Sequence, residues 1–368
     1  MNKIRILHVL GGLDIGGAET LVMNWYRHLD REKFQFDFIK HTSKSQFFDE
    51  EIKQLGGRIY NCPQYKGYNN FTYVKWWKTF FKGHPEYRIV HGHVRSTAAI
   101  YLQIAKSFGC KTISHSHSTR NNSGVSALVK AVLQFPIRFT ADYFFACSKA
   151  AGEWLFGKKV TKQSNFFVIP NAIDTAKFDY NLTTRQDLRH QLNLENNLVV
   201  GHVGRLDIPK NHIFLLQIFA EVYKQNPQAR LLLVGDGPLK EQLIQQTVQL
   251  GIKHAVLFCG NQPASRYYQA MDVFVFPSLY EGLPVSLVEA QTSGLPCLIA
   301  EHITPEVDLK VGLITRLSLR CSPTKWVEKV LMSPKEHRQS HQIEASQKGF
   351  DVAFSSKWMM DFYMREGV

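Results

Sequence analysis

The chain has 368 residues, 44% of them hydrophobic and 12% aromatic, a size that fits two hydrophobic cores better than one. Lys and Arg outnumber Asp and Glu by 44 to 31, a net charge of +13, which points to an anionic partner: a phosphorylated substrate, an anionic membrane surface or nucleic acid. The charge is dispersed and forms no basic block, which disfavours nucleic acid; no apolar run approaches the roughly 20 residues of a membrane span; and the six scattered cysteines have no metal-ligand spacing, so a structural zinc is not expected.

In chain order, short β-branched or aromatic runs alternate with helical patterns. Ile4 to Leu10 reads as a strand that runs into Gly11-Gly12 with no cleavage-site pattern, so a signal peptide is not expected and a cytoplasmic protein is. There follow a helix from Ala18 to Leu29, a strand Phe34 to Ile39, a helix Phe47 to Leu55 and a brief strand Arg58 to Tyr60. A helix near Tyr73 to Phe81 precedes strand Arg88 to His91, helix Thr97 to Phe108 and strand Lys111 to Ser114. A long helix is expected near Val125 to Thr140, then strand Tyr143 to Cys147, helix Lys149 to Leu155 and strand Phe167 to Ile169.

The alternation restarts with strand Leu198 to Val203 and helix Ile213 to Tyr223, strand Arg230 to Val234 and helix Leu239 to Leu250, and strand Val256 to Cys259 and helix Ala264 to Met271. Strand Val273 to Phe276, a helix from Pro284, strand Pro296 to Ala300 and a terminal helix over Ser355 to Met364 complete it. Repeated βα units imply parallel sheets covered on both faces. The expected fold class is therefore α/β, two doubly wound Rossmann-like domains facing across a cleft. The first spans 1–172 and the second 173–354, with a polar linker over 174–197 and the helix within 355–368 free to pack back on the first domain. In open parallel sheets ligands lie at the carboxyl ends of strands, so the loops after strands carry the chemistry.

One such loop holds Glu281 and Glu289, eight positions apart, in a run that leaves the strand ending at Phe276 and restarts as a helix at Gly282-Leu283-Pro284-Val285. A helix mouth suits an anion, and two carboxylates beside it suit the hydroxyls of a sugar attached to that anion. The loop Gly11 to Glu19, with Gly16 and Gly17 opening a helix, lets backbone N–H groups approach a phosphate; it lacks the G-x-G-x-x-G fingerprint and the Walker A lysine. Arg205 and Lys210 flank the turn after the first strand of the second domain, two fixed cations fit to neutralise a diphosphate without a metal. Ser114-His115-Ser116-His117 ends another strand; either histidine suits a sugar hydroxyl or a developing charge, and His115 is preferred. His91 and His93 end the preceding strand and are read as lining the substrate wall of the first domain. Pro170-Asn171-Ala172-Ile173-Asp174 reads as a hinge loop, and Gly235-Asp236-Gly237-Pro238 as a turn.

Taken in order, these elements resemble the retaining glycosyltransferases of the family 4 type, over essentially the whole chain and most specifically in its second half. Within that family the chain is similar to enzymes of bacterial exopolysaccharide or capsule assembly. The resemblance implies a GT-B architecture with the acceptor domain first and the nucleotide-sugar domain second. It implies that Glu289 binds the nucleotide ribose, Glu281 the transferred sugar, and Arg205 and Lys210 the diphosphate. Gly16 and Gly17 would close over that diphosphate, His115 would contact the donor sugar near the reacting carbon, and the nucleobase would lie against backbone at Gly260. Gly282, Leu283, Pro284 and Val285 complete the donor side; His91, His93 and Asn171 belong to the acceptor side. No cofactor and no metal are implied, the co-substrate being a nucleoside-diphosphate sugar, with a UDP-sugar favoured. The departure from the family pattern is Ala172, where Gly often follows the hinge Asn.

The expected reaction is transfer of a sugar to a hydroxyl of a glycan or polyprenyl-linked saccharide, with retention of configuration. The run Phe71 to Lys82 places Val74, Trp77 and Phe81 on one helical face and Lys75, Lys78 and Lys82 on another. Such a helix either packs in a core or rests at the inner face of the plasma membrane on anionic lipid. Rival readings are a nucleotide-sugar 2-epimerase of the same architecture and, more remotely, a nucleic-acid binder, which no helix-turn-helix or RNP-like signal supports. A dehydrogenase is disfavoured by the missing dinucleotide fingerprint.

Overall fold

The computed structural model describes residues 3–117, 133–333 and 338–367, which divide into two compact units, 1–173 with 351–368 and 174–350. Each unit is a parallel α/β sheet covered by helices, the doubly wound class expected from the sequence. The expected helix near Val125 to Thr140 lies largely outside the described residues; within its C-terminal part, Phe135–Phe139 forms a 3₁₀ turn.

The first unit holds β1 (Ile4–Leu10), α1 (Gly17–Arg27), β2 (Phe34–Lys40), α2 (Asp49–Gln54), β3 (Ile59–Asn61), α3 (Asn70–Gly83), β4 (Tyr87–Gly92), α4 (Ala98–Ser107), β5 (Lys111–Ser116), β6 (Tyr143–Ala146), α5 (Lys149–Val160) and β7 (Phe166–Val168). Their seven-stranded sheet runs β3-β2-β1-β4-β5-β6-β7. Chain order reverses between β1 and β4, so the loops leaving these strands flank the crevice where open sheets bind ligands. The strands are largely buried because helices cover both faces, and polar residues such as Gln35, Asp37 and Lys40 of β2 are buried with the apolar ones. Trp25 on α1 and Trp77 on α3 are fully buried on the two sides.

The second unit holds α6 (Leu182–Gln191), β8 (Val199–Val203), α7 (His212–Gln225), β9 (Arg230–Val234), α8 (Lys240–Gln249), β10 (Val256–Gly260), α9 (Ala264–Ala270), β11 (Val273–Phe276), α10 (Val285–Thr292), β12 (Cys297–Ala300), β13 (Ile314–Leu317), α11 (Pro323–Met332) and α12 (Gln342–Gln347). The sheet order is β10-β9-β8-β11-β12-β13, with the reversal between β8 and β11. The last helix, α13 (Val352–Gly367), belongs to the first unit. Its Ser355 accepts a hydrogen bond from Trp25 Nε1 at 3.0 Å, and its Tyr363 hydroxyl meets His91 Nδ1 at 2.7 Å.

Three sequence expectations need correction. The polar stretch 174–197 is not a plain linker: it folds as a 3₁₀ turn and α6. No apolar stripe announces α6, because ion pairs of Arg185 and Arg189 with Asp272 fasten it instead. The helix after β11 starts one residue later than Pro284, which serves as its N-cap. β13, α11 and α12 lie outside the expected elements. Trp326 and Val330 of α11 are buried, so its amphipathic face closes the second core.

Candidate active site

Two clusters of polar side chains form, one at the switch point of each sheet. In the second unit the loops after β8 and β11 are tied together by the Leu279 N–H donating to the Pro209 carbonyl at 2.7 Å. Asn211 adopts a left-handed conformation with φ 57° and its side chain donates to the Pro277 carbonyl at 3.1 Å. This bend turns Lys210 back over the strand ends. Its Nζ lies 4.9 Å from the Phe276 ring centre and donates to Glu281 Oε1 at 2.7 Å. Both side chains are largely buried. The pair is a charge-assisted contact in a site partly shielded from water.

Glu289 sits in the second turn of α10 and accepts a hydrogen bond from the Tyr268 hydroxyl at 2.8 Å. Burial pushes its pKa up to about 7, and the Tyr268 bond only partly offsets this. Leu283 and Pro284 are buried, while Gly282 and Val285 are half-buried at the helix mouth. Gly260 has φ 68° and open space where a side chain would be, and its carbonyl accepts from the Gly235 N–H at 2.8 Å. A side chain at Gly237 would strike the backbone of Leu206 at 2.5 Å, so this glycine lets the two loops pack. Arg205 stands apart: its side chain is 68% exposed and only 3.9 Å from Asp207. The loop thus joins Lys210 with Glu281 and leaves Arg205 extended toward solvent.

In the first unit β1, β4 and β5 bring five imidazoles into one stack. The register sets His8 beside His91. His8 Nδ1 meets His93 Nε2 at 3.1 Å, and His93 Nδ1 meets His117 Nε2 at 2.8 Å. A second chain links the Tyr363 hydroxyl to His91 and His91 Nε2 to His115 Nδ1 at 3.1 Å. Burial lowers all five pKa values, to about 3 for His8 and about 4 for His117, so the rings are neutral at pH 7. Two overlapping triads, His8/His91/His93 and His93/His115/His117, have nitrogens within 4.8 Å of one another, a donor set suited to a borderline divalent ion.

His115 does not take the position assigned to it from sequence. β5 continues two residues beyond Ser114, which leaves His115 only 1% exposed, stacked 6.1 Å from Trp25. His117 follows the strand end and is half-buried. His91 and His93 are fully or nearly buried, so they build the wall behind His117. Asn171, 4% exposed, lies beside His117, and its amide nitrogen is 3.8 Å from where a Gly17 side chain would begin. Gly16 is the N-cap of α1, where a methyl would strike the Glu19 carboxylate at 2.4 Å. Sequence reasoning passed over His8, Tyr268 and the buried pair His202 and His212 near Lys210. Their signal was weak, since a lone histidine or tyrosine in an apolar run reads as core.

The family model described as glycosyl transferases group 1 matches residues 184–309, and that described as glycosyltransferase family 4 matches residues 15–177. EpsF of Bacillus subtilis (strain 168), a glycosyltransferase by name, is 35% identical over 98% of this chain and 96% of its own. The chain belongs to the family 4 glycosyltransferases. The capsular polysaccharide biosynthesis glycosyltransferase CapH of Staphylococcus aureus is 22% identical over 98% of this chain and 99% of its own. The Escherichia coli UDP-Gal:α-D-GlcNAc-diphosphoundecaprenol α-1,3-galactosyltransferase is 26% identical over 81% of this chain and 80% of its own. Among solved structures, Anabaena Alr3699/HepE in complex with UDP and glucose superposes with a TM-score of 0.77 at 19% identity, covering 98% of this chain and 100% of that one. This glycosyltransferase is thus related to enzymes of exopolysaccharide and capsule assembly. Among the described residues no helix is long and apolar enough to cross a membrane.

Proposed function

We propose that this glycosyltransferase moves a sugar from a UDP-sugar to a hydroxyl of a lipid-linked glycan in exopolysaccharide or capsule biosynthesis. The observation that carries the reading is the Lys210–Glu281 pair beside the mouth of α10, a fixed cation with a fixed acceptor at the switch point of the second sheet. As the bond from the sugar's anomeric carbon to the diphosphate oxygen breaks, negative charge grows on the leaving group. Lys210 and the free N–H groups of α10 stabilise it, an effect larger in the transition state than in the ground state. These groups supply the positive charge without a metal. Glu281 gives up part of its hold on Lys210 to the phosphate and takes the hydroxyls of the transferred sugar. Glu289 binds the ribose, and the base lies against the open face of Gly260. Arg205 swings in from solvent to the diphosphate.

The first unit takes the acceptor, with His117 and Asn171 at its ligand-facing end and Gly16 and Gly17 presenting the N–H groups of α1. The acceptor hydroxyl attacks from the face the diphosphate leaves, and the departing phosphate oxygen receives its proton, so configuration is retained. On α3, Lys75, Lys78 and Lys82 are exposed while Tyr73, Trp77, Phe80 and Phe81 are buried, and Phe71 beside them is 82% exposed. A basic face with an exposed aromatic supports peripheral contact with anionic lipid at the inner face of the plasma membrane.

The direct test is a thermal-shift and turnover screen across UDP-, GDP- and ADP-sugars with and without EDTA. The expected result is stabilisation by UDP-sugars, transfer that EDTA leaves intact and an α-linked product from an α-linked donor. An epimerised sugar formed from donor alone refutes the reading and supports the epimerase.

A further inference from the structure

Of the two overlapping imidazole triads, the outer one, His93/His115/His117, is the better ligand set. One nitrogen of each ring lies within 4.8 Å of the others, and no carboxylate or thiolate belongs to either triad. His93 follows β4, His115 lies on β5 and His117 follows β5, so two neighbouring parallel strands hold all three rings. His117 is half-buried, which gives an ion a way in. The inner triad, His8/His91/His93, is buried throughout. Both nitrogens of its His91 are already engaged, one by the Tyr363 hydroxyl and one by His115.

The hydrogen bonds around the outer triad let all three rings act as ligands together. A neutral imidazole carries one N–H and one lone pair. His93 Nε2 lies 3.1 Å from His8 Nδ1, and His115 Nδ1 lies 3.1 Å from His91 Nε2. His117 turns Nε2 to His93, and Asn171 hydrogen-bonds its ring in the sense that favours an N–H donor. Each ring therefore has an acceptor for its outward N–H, the arrangement that metal-bound histidines adopt. With the protons outward, lone pairs remain on His93 Nδ1, His115 Nε2 and His117 Nε2. His115 Nε2 is buried without a partner among the described residues. His93 Nδ1 and His117 Nε2 are 2.8 Å apart. A tetrahedral Zn–N bond of about 2.0–2.1 Å sets nitrogens about 3.3 Å apart, so this pair has to open by only about half an ångström.

We propose that His93, His115 and His117 bind one divalent cation of the Zn²⁺ class, with an exchangeable fourth ligand. Three imidazoles suit Zn²⁺, Co²⁺, Ni²⁺ or Cu²⁺ and not the oxygen-seeking Mg²⁺ or Ca²⁺. The ligand set is neutral, and Arg95 lies close enough to His117 to act on it electrostatically. A dication there needs an anion, and three protein ligands leave the fourth position open for hydroxide or chloride. The ion is no part of the transfer step proposed above, in which Lys210 and α10 carry the charge, so the site stands or falls independently of the donor reading.

The test uses the full-length protein stripped with EDTA, in wild type, His117→Gln and His8→Phe. Zn²⁺ and Mg²⁺ are titrated calorimetrically, and Co²⁺ serves as the spectroscopic probe. The expected result in wild type is one Zn²⁺ per chain with a Kd of about 1 µM or tighter, no Mg²⁺ binding, the intense visible band of four-coordinate Co²⁺ and a Tm that rises with Zn²⁺. His117→Gln removes a ligand and weakens Zn²⁺ at least a hundredfold. His8→Phe removes only an outer hydrogen-bond partner and costs about tenfold. No Zn²⁺ binding tighter than about 100 µM overturns the proposal. So does binding that His8→Phe abolishes and His117→Gln keeps, which would move the ion to the inner triad. If His117→Gln folds poorly, X-ray absorption at the zinc edge of the wild-type complex decides. Three imidazoles with one lighter ligand support the site, whereas a sulfur ligand or fewer than three imidazoles overturns it.

Discussion

Donor binding should strengthen as pH rises from 6 to 8, and Glu289 should be the cause. Its carboxyl is half-buried beside Tyr268, and burial lifts its pKa from 4.5 to about 7. A ribose presents two hydroxyl donors, which an ionised carboxylate accepts and a protonated one accepts poorly. If only the ionised form binds, about one tenth of the protein is competent at pH 6 and about nine tenths at pH 8, so affinity should rise about tenfold. The assay is calorimetric titration with UDP-glucose at both pH values. UDP itself is unsuitable, because its terminal phosphate titrates near pH 6 and would imitate the effect. Glu289→Gln should show a flat profile and bind more weakly at pH 8 by about 1.5 kcal/mol or more, the loss of a charged hydrogen bond. Stability of the unliganded protein should move the other way. The folded pKa lies above the unfolded one, so the stabilisation is complete below pH 4.5 and is lost as pH rises through about 7, up to about 3 kcal/mol in all. Equal UDP-glucose affinity at pH 6 and 8 in wild type, or the same slope in Glu289→Gln, refutes the reasoning.

Replacing Lys210 with Ala should lower kcat by about 10²-fold or more, as for loss of one oxyanion donor, with the fold intact by circular dichroism; near-wild-type turnover would remove Lys210 from the chemistry. The two histidines of β5 and its exit should separate: His117→Ala should cut kcat/KM with little change in Tm. His115→Ala should lower stability by about 1–3 kcal/mol, because it empties a buried hydrogen-bonded site, and urea unfolding of both variants distinguishes the roles. Sedimentation with anionic vesicles at low salt should capture the wild type, and charge removal at Lys75, Lys78 and Lys82 should abolish capture; no binding by wild type would eliminate the membrane contact.

Much of the architecture was legible because hydrophobic runs of strand length alternate with helical periodicity, and a parallel sheet needs those runs to be nearly unbroken. The boundaries that failed did so for physical reasons. α6 is held by Arg185, Arg189 and Asp272 rather than by an apolar face, so periodicity could not reveal it. The extra turn of strand at Ser116 follows from pairing with Ala146 of β6, a contact that no local pattern encodes. Pro284 suits a helix start equally as N-cap or first residue, and only the backbone distinguishes them. Arg95, His8 and Tyr268 gave no signal, because a single polar residue within or just beyond a strand is commonplace.

The sequence by itself determined the parallel α/β class, the strand-end loops where polar residues collect and the excess of positive charge, since each depends on local periodicity or composition. Tertiary structure decided which of those residues meet. Lys210 and Glu281 are 71 positions apart, and His8 and His93 are 85 apart. Strand order makes such loops neighbours, and burial then decides which groups stay neutral and which keep a charge in need of a partner.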